Sequence, residues 1–149
     1  MGKKEINFFK ISLLIIITIS AILSVTQIQK YIRYSNKEKI INFVKSNLGA
    51  LNENYDLALS FGEVETKESW STTPQKVIVN FVTRGSGIVP STIYTGFYFT
   101  SFDNPVGYEG STYPLTKNEK GWEWKEEDGD NWYYTEKIDD YWYYYEAGF

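Results

Sequence analysis

Hydrophobic and polar positions along this chain fall into three regimes. From Ile11 to Val25 the run ISLLIIITISAILSV carries no charge, and its only polar residues are Ser12, Thr18, Ser20 and Ser24. From Ile40 to Leu51 the apolar positions Ile40, Ile41, Val44, Leu48 and Leu51 recur at helical spacing. From Tyr55 onward the period drops to two, the signature of half-buried strands.

The first regime predicts a helix that spans a membrane. Residues 11–28 make about 27 Å of helix at about 1.5 Å per residue, against roughly 30 Å of hydrocarbon. Phe8 and Phe9 reach the interface, and Lys10 snorkels toward headgroups. A rival reading is a cleaved signal peptide with Lys3 and Lys4 as its basic region, but the nearest small-x-small triplet, Ser24-Val25-Thr26, is poor beside A-x-A. A third is the buried helix of a soluble protein. The chain has no cysteine, which excludes a lipid-modified cysteine anchor. An uncleaved signal-anchor is the expectation. Lys30, Arg33, Lys37 and Lys39 follow the segment and pull its C-terminal side toward the cytoplasm. Long C-terminal domains translocate largely regardless of such charge, and the segment has signal-peptide architecture, so an extracytoplasmic domain is expected.

The expected division is a short tail at 1–10, a transmembrane helix at 11–28, a stalk at 29–36 and an extracytoplasmic α+β domain at 37–149. Tyr31 and Tyr34 in the stalk suit an interfacial aromatic belt. Ser35 and Glu38 fit a capping box that starts the second helix, and Gly49 or the stretch Asn52–Asn54 ends it. Its apolar stripe is under four turns long, which favours packing on the following sheet over a coiled coil.

Tyr55, Leu57, Leu59 and Phe61 alternate as a strand, Gly62 breaks it, and Val64 resumes it past a bulge. Residues 69–74 read as a loop. Lys76 to Arg84 is a strong strand with Val77, Val79 and Phe81 on one face and Ile78 and Val82 on the other, followed by a turn at Gly85-Ser86-Gly87. Ser91 to Phe102 is a second, with Ile93, Phe97 and Phe99 opposed to Tyr94, Tyr98 and Phe102. Turns follow at Asp103–Gly107 and Asn118–Gly121. Residues 122–146 read as a three-strand meander turned at Asp128-Gly129 and Asp139-Asp140. The fold class is therefore α+β: one amphipathic helix packed on a curved antiparallel β-sheet of five to seven strands, with a cystatin-like layout as the expected topology.

Charge sharpens this picture. The net charge is −4, but residues 119–149 hold ten acids against three lysines, while residues 1–118 hold nine acids and twelve bases. An acidic outer end argues against nucleic acid as a partner. With neither histidine nor cysteine, the chain lacks the commonest general base, the commonest metal ligand and the thiol nucleophile. No cofactor or metal site is expected, and no catalytic residue stands out. The run Glu126–Asn131 fails the calcium-loop spacing, because Trp132 falls where a ligand is required.

The unusual feature is aromatic density: residues 94–149 hold ten Tyr, four Trp and four Phe. In the run Tyr141-Trp142-Tyr143-Tyr144-Tyr145, alternation turns either Trp142 and Tyr144 or Tyr141, Tyr143 and Tyr145 outward unless a further layer covers them. Exposed Tyr/Trp patches mark binding faces. The candidate ligand-binding residues are Trp132, Tyr134, Tyr141, Trp142, Tyr143, Tyr144 and Tyr145. Gly121-Trp122, Gly129 and Trp132-Tyr133-Tyr134 loosely resemble one unit of the GW…G…WYY repeats of choline-binding cell-wall modules. The likeness spans residues 121–134 alone, lacks the stacked units whose junctions form sites in such modules, and is read as shared hairpin composition. The functional expectation is a non-catalytic, membrane-anchored domain that binds a protein or cell-envelope ligand. The alternatives are an accessory subunit that oligomerises through its aromatic face and a carboxylate-dependent hydrolase.

Overall fold

In a computed structural model of the chain, the backbone is described for every residue except Met1, Pro74, Val89 and Pro90. Side chains are described for all but these and residues 2–9, 72–73, 86–88 and 91. One continuous helix, α1, runs from Gly2 to Glu53. No proline or glycine interrupts the sequence between Gly2 and Gly49, so nothing removes a ladder donor or loosens the backbone. Residues 29–36, the expected stalk, therefore continue the helix. Ser35 and Glu38 are interior helical residues, not a capping box.

The chain divides into two compact units, 1–36 and 37–149. In the first, Ile11, Leu14, Ile16, Ile22 and Ile28 are all more than half exposed. The helix contains an 18-residue window of mean hydropathy 2.3, none of it buried, and is long and apolar enough to cross a membrane. Its hydroxyls bond within the helix: Thr18 Oγ1 donates to Leu14 O, Ser24 Oγ to Ser20 O and Thr26 Oγ1 to Leu23 O, each at 2.8 Å. Such back-bonding removes the cost of a free hydroxyl in an apolar medium.

In the second unit, seven strands form one antiparallel sheet in the order β1-β2-β3-β7-β6-β5-β4. They are β1 Thr66–Thr73, β2 Lys76–Ile88, β3 Ser91–Thr100, β4 Thr116–Lys117, β5 Trp122–Lys125, β6 Trp132–Asp139 and β7 Trp142–Gly148. Two meanders, β1-β2-β3 and β4-β5-β6-β7, meet where Phe97, Tyr98 and Phe99 of β3 pair with Tyr144, Tyr143 and Trp142 of β7.

The period-two reading of the central strands holds. Val79, Phe81, Phe97, Trp142 and Tyr144 face α1, whose Ile40, Val44 and Leu51 are fully buried among them. Each such burial contributes about 1.5–3 kcal/mol. Ile78, Tyr98, Tyr133, Tyr143 and Tyr145 occupy the opposite face. That face is covered by residues 101–115, the long connection from β3 to β4, through Phe102, Val106, Tyr108 and Leu115.

Three local readings are corrected. Tyr55–Ser60 is a 3-10 helix, not a strand. Asn54 caps it by accepting from the Asp56 N–H at 3.0 Å, and a three-residue period explains its contacts. Tyr55 stacks on Phe99, Ala58 is buried, and Phe61 packs on Phe43 and Phe97, while Leu59 stays half exposed. Of the expected loop at 69–74, residues 69–73 are strand, because Thr66–Thr73 pairs with β2 as the sheet's edge, and Pro74 lies outside the described residues. Gly85-Ser86-Gly87 is not a turn: it continues β2, opposite Tyr94, Ile93 and Thr92.

Candidate functional site

Among the described residues, a surface groove lies on the β5–β6 hairpin. Antiparallel pairing sets Trp132 opposite Lys125 and Tyr134 opposite Glu123. Trp132, Tyr134 and Glu136 then share one face of β6. The Trp132 indole lies directly on Gly148 of β7, where an added Cβ would sit 2.2 Å from its Nε1. A glycine is required there for the ring to lie against the strand. Tyr134 donates a short hydrogen bond to the Glu136 carboxylate. Lys37 completes the group: its Nζ reaches Glu136 at 2.8 Å and lies 5.6 Å from the Tyr134 ring centre and 5.2 Å from that of Tyr144. Burial first, and then the Glu136 charge, push the Tyr134 phenol well above its ordinary pKa, so its proton stays on.

Beside this group runs an open groove of about 910 Å³, lined by Trp124, Trp132 and Tyr134 with Glu123, Lys125 and Asp130. Trp124 is held in place by Tyr113, stacked at 4.1 Å and 10°. Glu123 accepts from Asn118 Nδ2 at 3.1 Å, and that asparagine also closes the β4–β5 turn by accepting from the Lys120 and Gly121 N–H groups. Four aromatic residues, three acids and one lysine around a groove of this size make a site for a ligand with flat apolar faces and hydrogen-bonding edges.

The seven sequence-derived candidates do not converge. Trp132 and Tyr134 line the groove. Tyr141 is exposed at the β6–β7 turn, with φ 70°, and its N–H donates to Asp103 Oδ1 at 2.8 Å. Trp142, Tyr143, Tyr144 and Tyr145 are all buried. The expectation that one alternate set faces outward is corrected, because α1 covers one face and the 101–115 connection the other. Trp142 stacks with Phe81 and donates from Nε1 to Asn52 Oδ1 at 2.9 Å. Sequence reasoning missed Trp124, although its alternation with Glu123 and Lys125 was the available signal.

A second polar centre, also missed, joins the connection to the sheet. Asp103, at φ 47°, accepts from the Tyr141 N–H and from the Tyr143 hydroxyl at 3.1 Å, and pairs with Lys137 at 2.7 Å. Burial alone would raise its pKa, but these donors, Lys137 foremost, hold it below the ordinary carboxylate value. Nearby, the Val106 N–H donates to the Tyr98 hydroxyl at 3.2 Å, Tyr98 to Thr135 Oγ1 at 2.8 Å, and Thr135 to Tyr144 O at 2.8 Å. The direction follows because the single Thr135 proton is used on the carbonyl. Burial pushes Tyr98 up to about 12. These two networks fasten the connection in place. Among the described residues, no three carboxylates come together as a metal site would require.

No protein-family model, no curated protein and no solved structure matches this chain.

Proposed function

We propose that the chain is a single-pass membrane protein whose 37–149 domain is a non-catalytic binder. It is held at an extracytoplasmic surface by the 11–28 segment and takes a protein or cell-envelope ligand through the groove of Trp124, Trp132 and Tyr134. The observation that carries this reading is the groove itself, where Trp132 and Tyr134 from one face of the hairpin and Trp124 from the other flank acids and a lysine, fixed by the Tyr113 stack and the Glu136–Lys37 pair. The exposed apolar helix supports the anchor, and signal-anchor architecture supports the orientation. The cystatin-like layout belongs to the same proposal and rests on a helix lying across one face of an antiparallel sheet.

The test uses the full chain in lipid nanodiscs, titrated with purified envelope polysaccharides and with a panel of purified surface proteins. Saturable binding to one of them, weakened at least about tenfold by Trp132→Ala, is the expected result, since central aromatic anchors contribute about 2 kcal/mol or more. Binding that Trp132→Ala leaves unchanged sinks the groove assignment. Self-association that the same variant abolishes, without any ligand, replaces the binder with an oligomerising accessory subunit. Protease protection of a tag after Phe149 in intact cells checks the orientation separately: cleavage from outside is expected.

A further inference from the structure

A second groove, of about 510 Å³, lies beneath the 101–115 connection on the face away from α1, and shares no lining residue with the first. Its apolar wall is made by Ile78, Phe102, Val106, Leu115 and Trp122. Among the described residues, Lys76 is the only charged side chain that lines it. In a chain of net charge −4, a groove with one cation and no acid is a local inversion of the surface. Lys76 stands at the rim with its Nζ 5.2 Å from the Phe102 ring centre, and among the described residues it has no carboxylate partner. Asn104, Ser111 and Thr112 line the same groove as neutral polar residues, the Ser111 hydroxyl itself being shut off from solvent. The charged donor that the groove offers a ligand is therefore the Lys76 ammonium. The volume falls within the range of small-molecule sites.

We infer that this groove binds a small monocarboxylate with an apolar body, the carboxylate meeting Lys76 and the body lying on Phe102, Leu115 and Trp122. Charge complementarity selects the anion: a neutral ligand leaves the Lys76 donors unused, and a cation meets repulsion. The apolar wall rewards a hydrocarbon or an aryl ring over a sugar, whose hydroxyls would lose water without finding partners. The two sources of such a ligand, aromatic and aliphatic, share this chemistry.

The test again uses the full chain in nanodiscs of zwitterionic lipid, with empty nanodiscs as the blank. 4-Fluorobenzoate is followed by fluorine NMR, and octanoate by the change in tryptophan fluorescence. Saturable binding of either acid beyond the blank is expected, and which one binds more tightly identifies the source. Lys76→Gln should weaken it at least about tenfold, the loss of one charge-assisted hydrogen bond, and neutral 4-fluorobenzamide should bind correspondingly less than the benzoate. Leu115→Trp, which fills the groove, should abolish binding while leaving the thermal melt cooperative. The proposal is overturned if neither acid binds, if the benzamide matches the benzoate, or if Lys76→Gln or a folded Leu115→Trp binds as the wild type does.

Discussion

The two faces of the sheet are built from the same aromatic strands and covered in different ways. On one face Trp142 and Tyr144 meet a regular helix. The contacts there are largely apolar, with Phe81, Phe97 and Trp142 stacked under Ile40 and Val44. On the other face Tyr143 and Tyr145, their sequence neighbours, meet an irregular connection, and four tyrosines (Tyr98, Tyr133, Tyr143 and Tyr145) replace the phenylalanines. An irregular cover has backbone groups that a helix would satisfy internally. Tyrosine supplies apolar area together with a hydroxyl that can bond such groups, as Tyr98 does with Val106. The aromatic excess of the C-terminal third is thus the material of two covered layers. Its margins on the β5–β6 hairpin, Trp124, Trp132 and Tyr134, reach the groove.

This contrast orders the expected effects of substitution. Trp142→Ala removes the largest side chain of the helix-covered face and leaves a cavity among Phe81, Phe97 and Phe99. It should cost about 3–5 kcal/mol, read as a lower urea midpoint. Asp103→Asn acts on the other face by weakening the link between connection and sheet, and should cost about 1.5–3 kcal/mol near neutral pH. Because the Asp103 pKa is lowered on folding, its contribution is present above the ordinary carboxylate pKa of about 4 and fades as the pH falls through the folded value. The stability gap between wild type and Asp103→Asn should therefore close on acidification, and a gap that widens would refute the assignment.

Tyr98→Phe breaks the chain from Val106 to Thr135 and should cost about 1 kcal/mol, with faster hydrogen exchange at the Val106 amide. Tyr145→Phe on the same face should cost close to nothing. The Tyr145 hydroxyl is buried, faces the Asn80 amide and makes no close hydrogen bond, and Asn80 Nδ2 makes none either. Both border a void of about 10 Å³, so removing the hydroxyl removes an unsatisfied group. Equal losses for the two variants would mean that a bound water satisfies Tyr145.

Much of this architecture was legible because the pattern of the central strands is strong. Val79 and Phe81 against Ile78, and Phe97 and Phe99 against Tyr98, sort to the correct faces by alternation alone. The failures have local causes. Tyr55, Leu57, Leu59 and Phe61 alternate, yet Tyr55, Ala58 and Phe61 also repeat every three residues, and the Asn54 cap decides between the periods. The edge strand Thr66–Thr73 holds one large apolar residue, Trp70, and carries Lys67 and Glu68, the polar composition by which edges resist aggregation. Glycines 85 and 87 mimic a turn but are held by pairing with β3. The burial of residues 142–145 was not readable, because the layer that covers Tyr143 and Tyr145 comes from 101–115, a stretch with no periodicity to announce it.

The most direct test of the account is hydroxyl-radical footprinting of the full chain, read by mass spectrometry at single tyrosines and tryptophans. Tyr141 and Tyr113, at 40% and 37% exposure, should be modified rapidly, while Trp142, Tyr143, Tyr144 and Tyr145, all at 1% or less, should be protected to a similar degree. Modification of Tyr143 and Tyr145 at the rate of Tyr141, with Trp142 and Tyr144 still protected, would contradict the second cover and return the sheet to a domain with one open aromatic face.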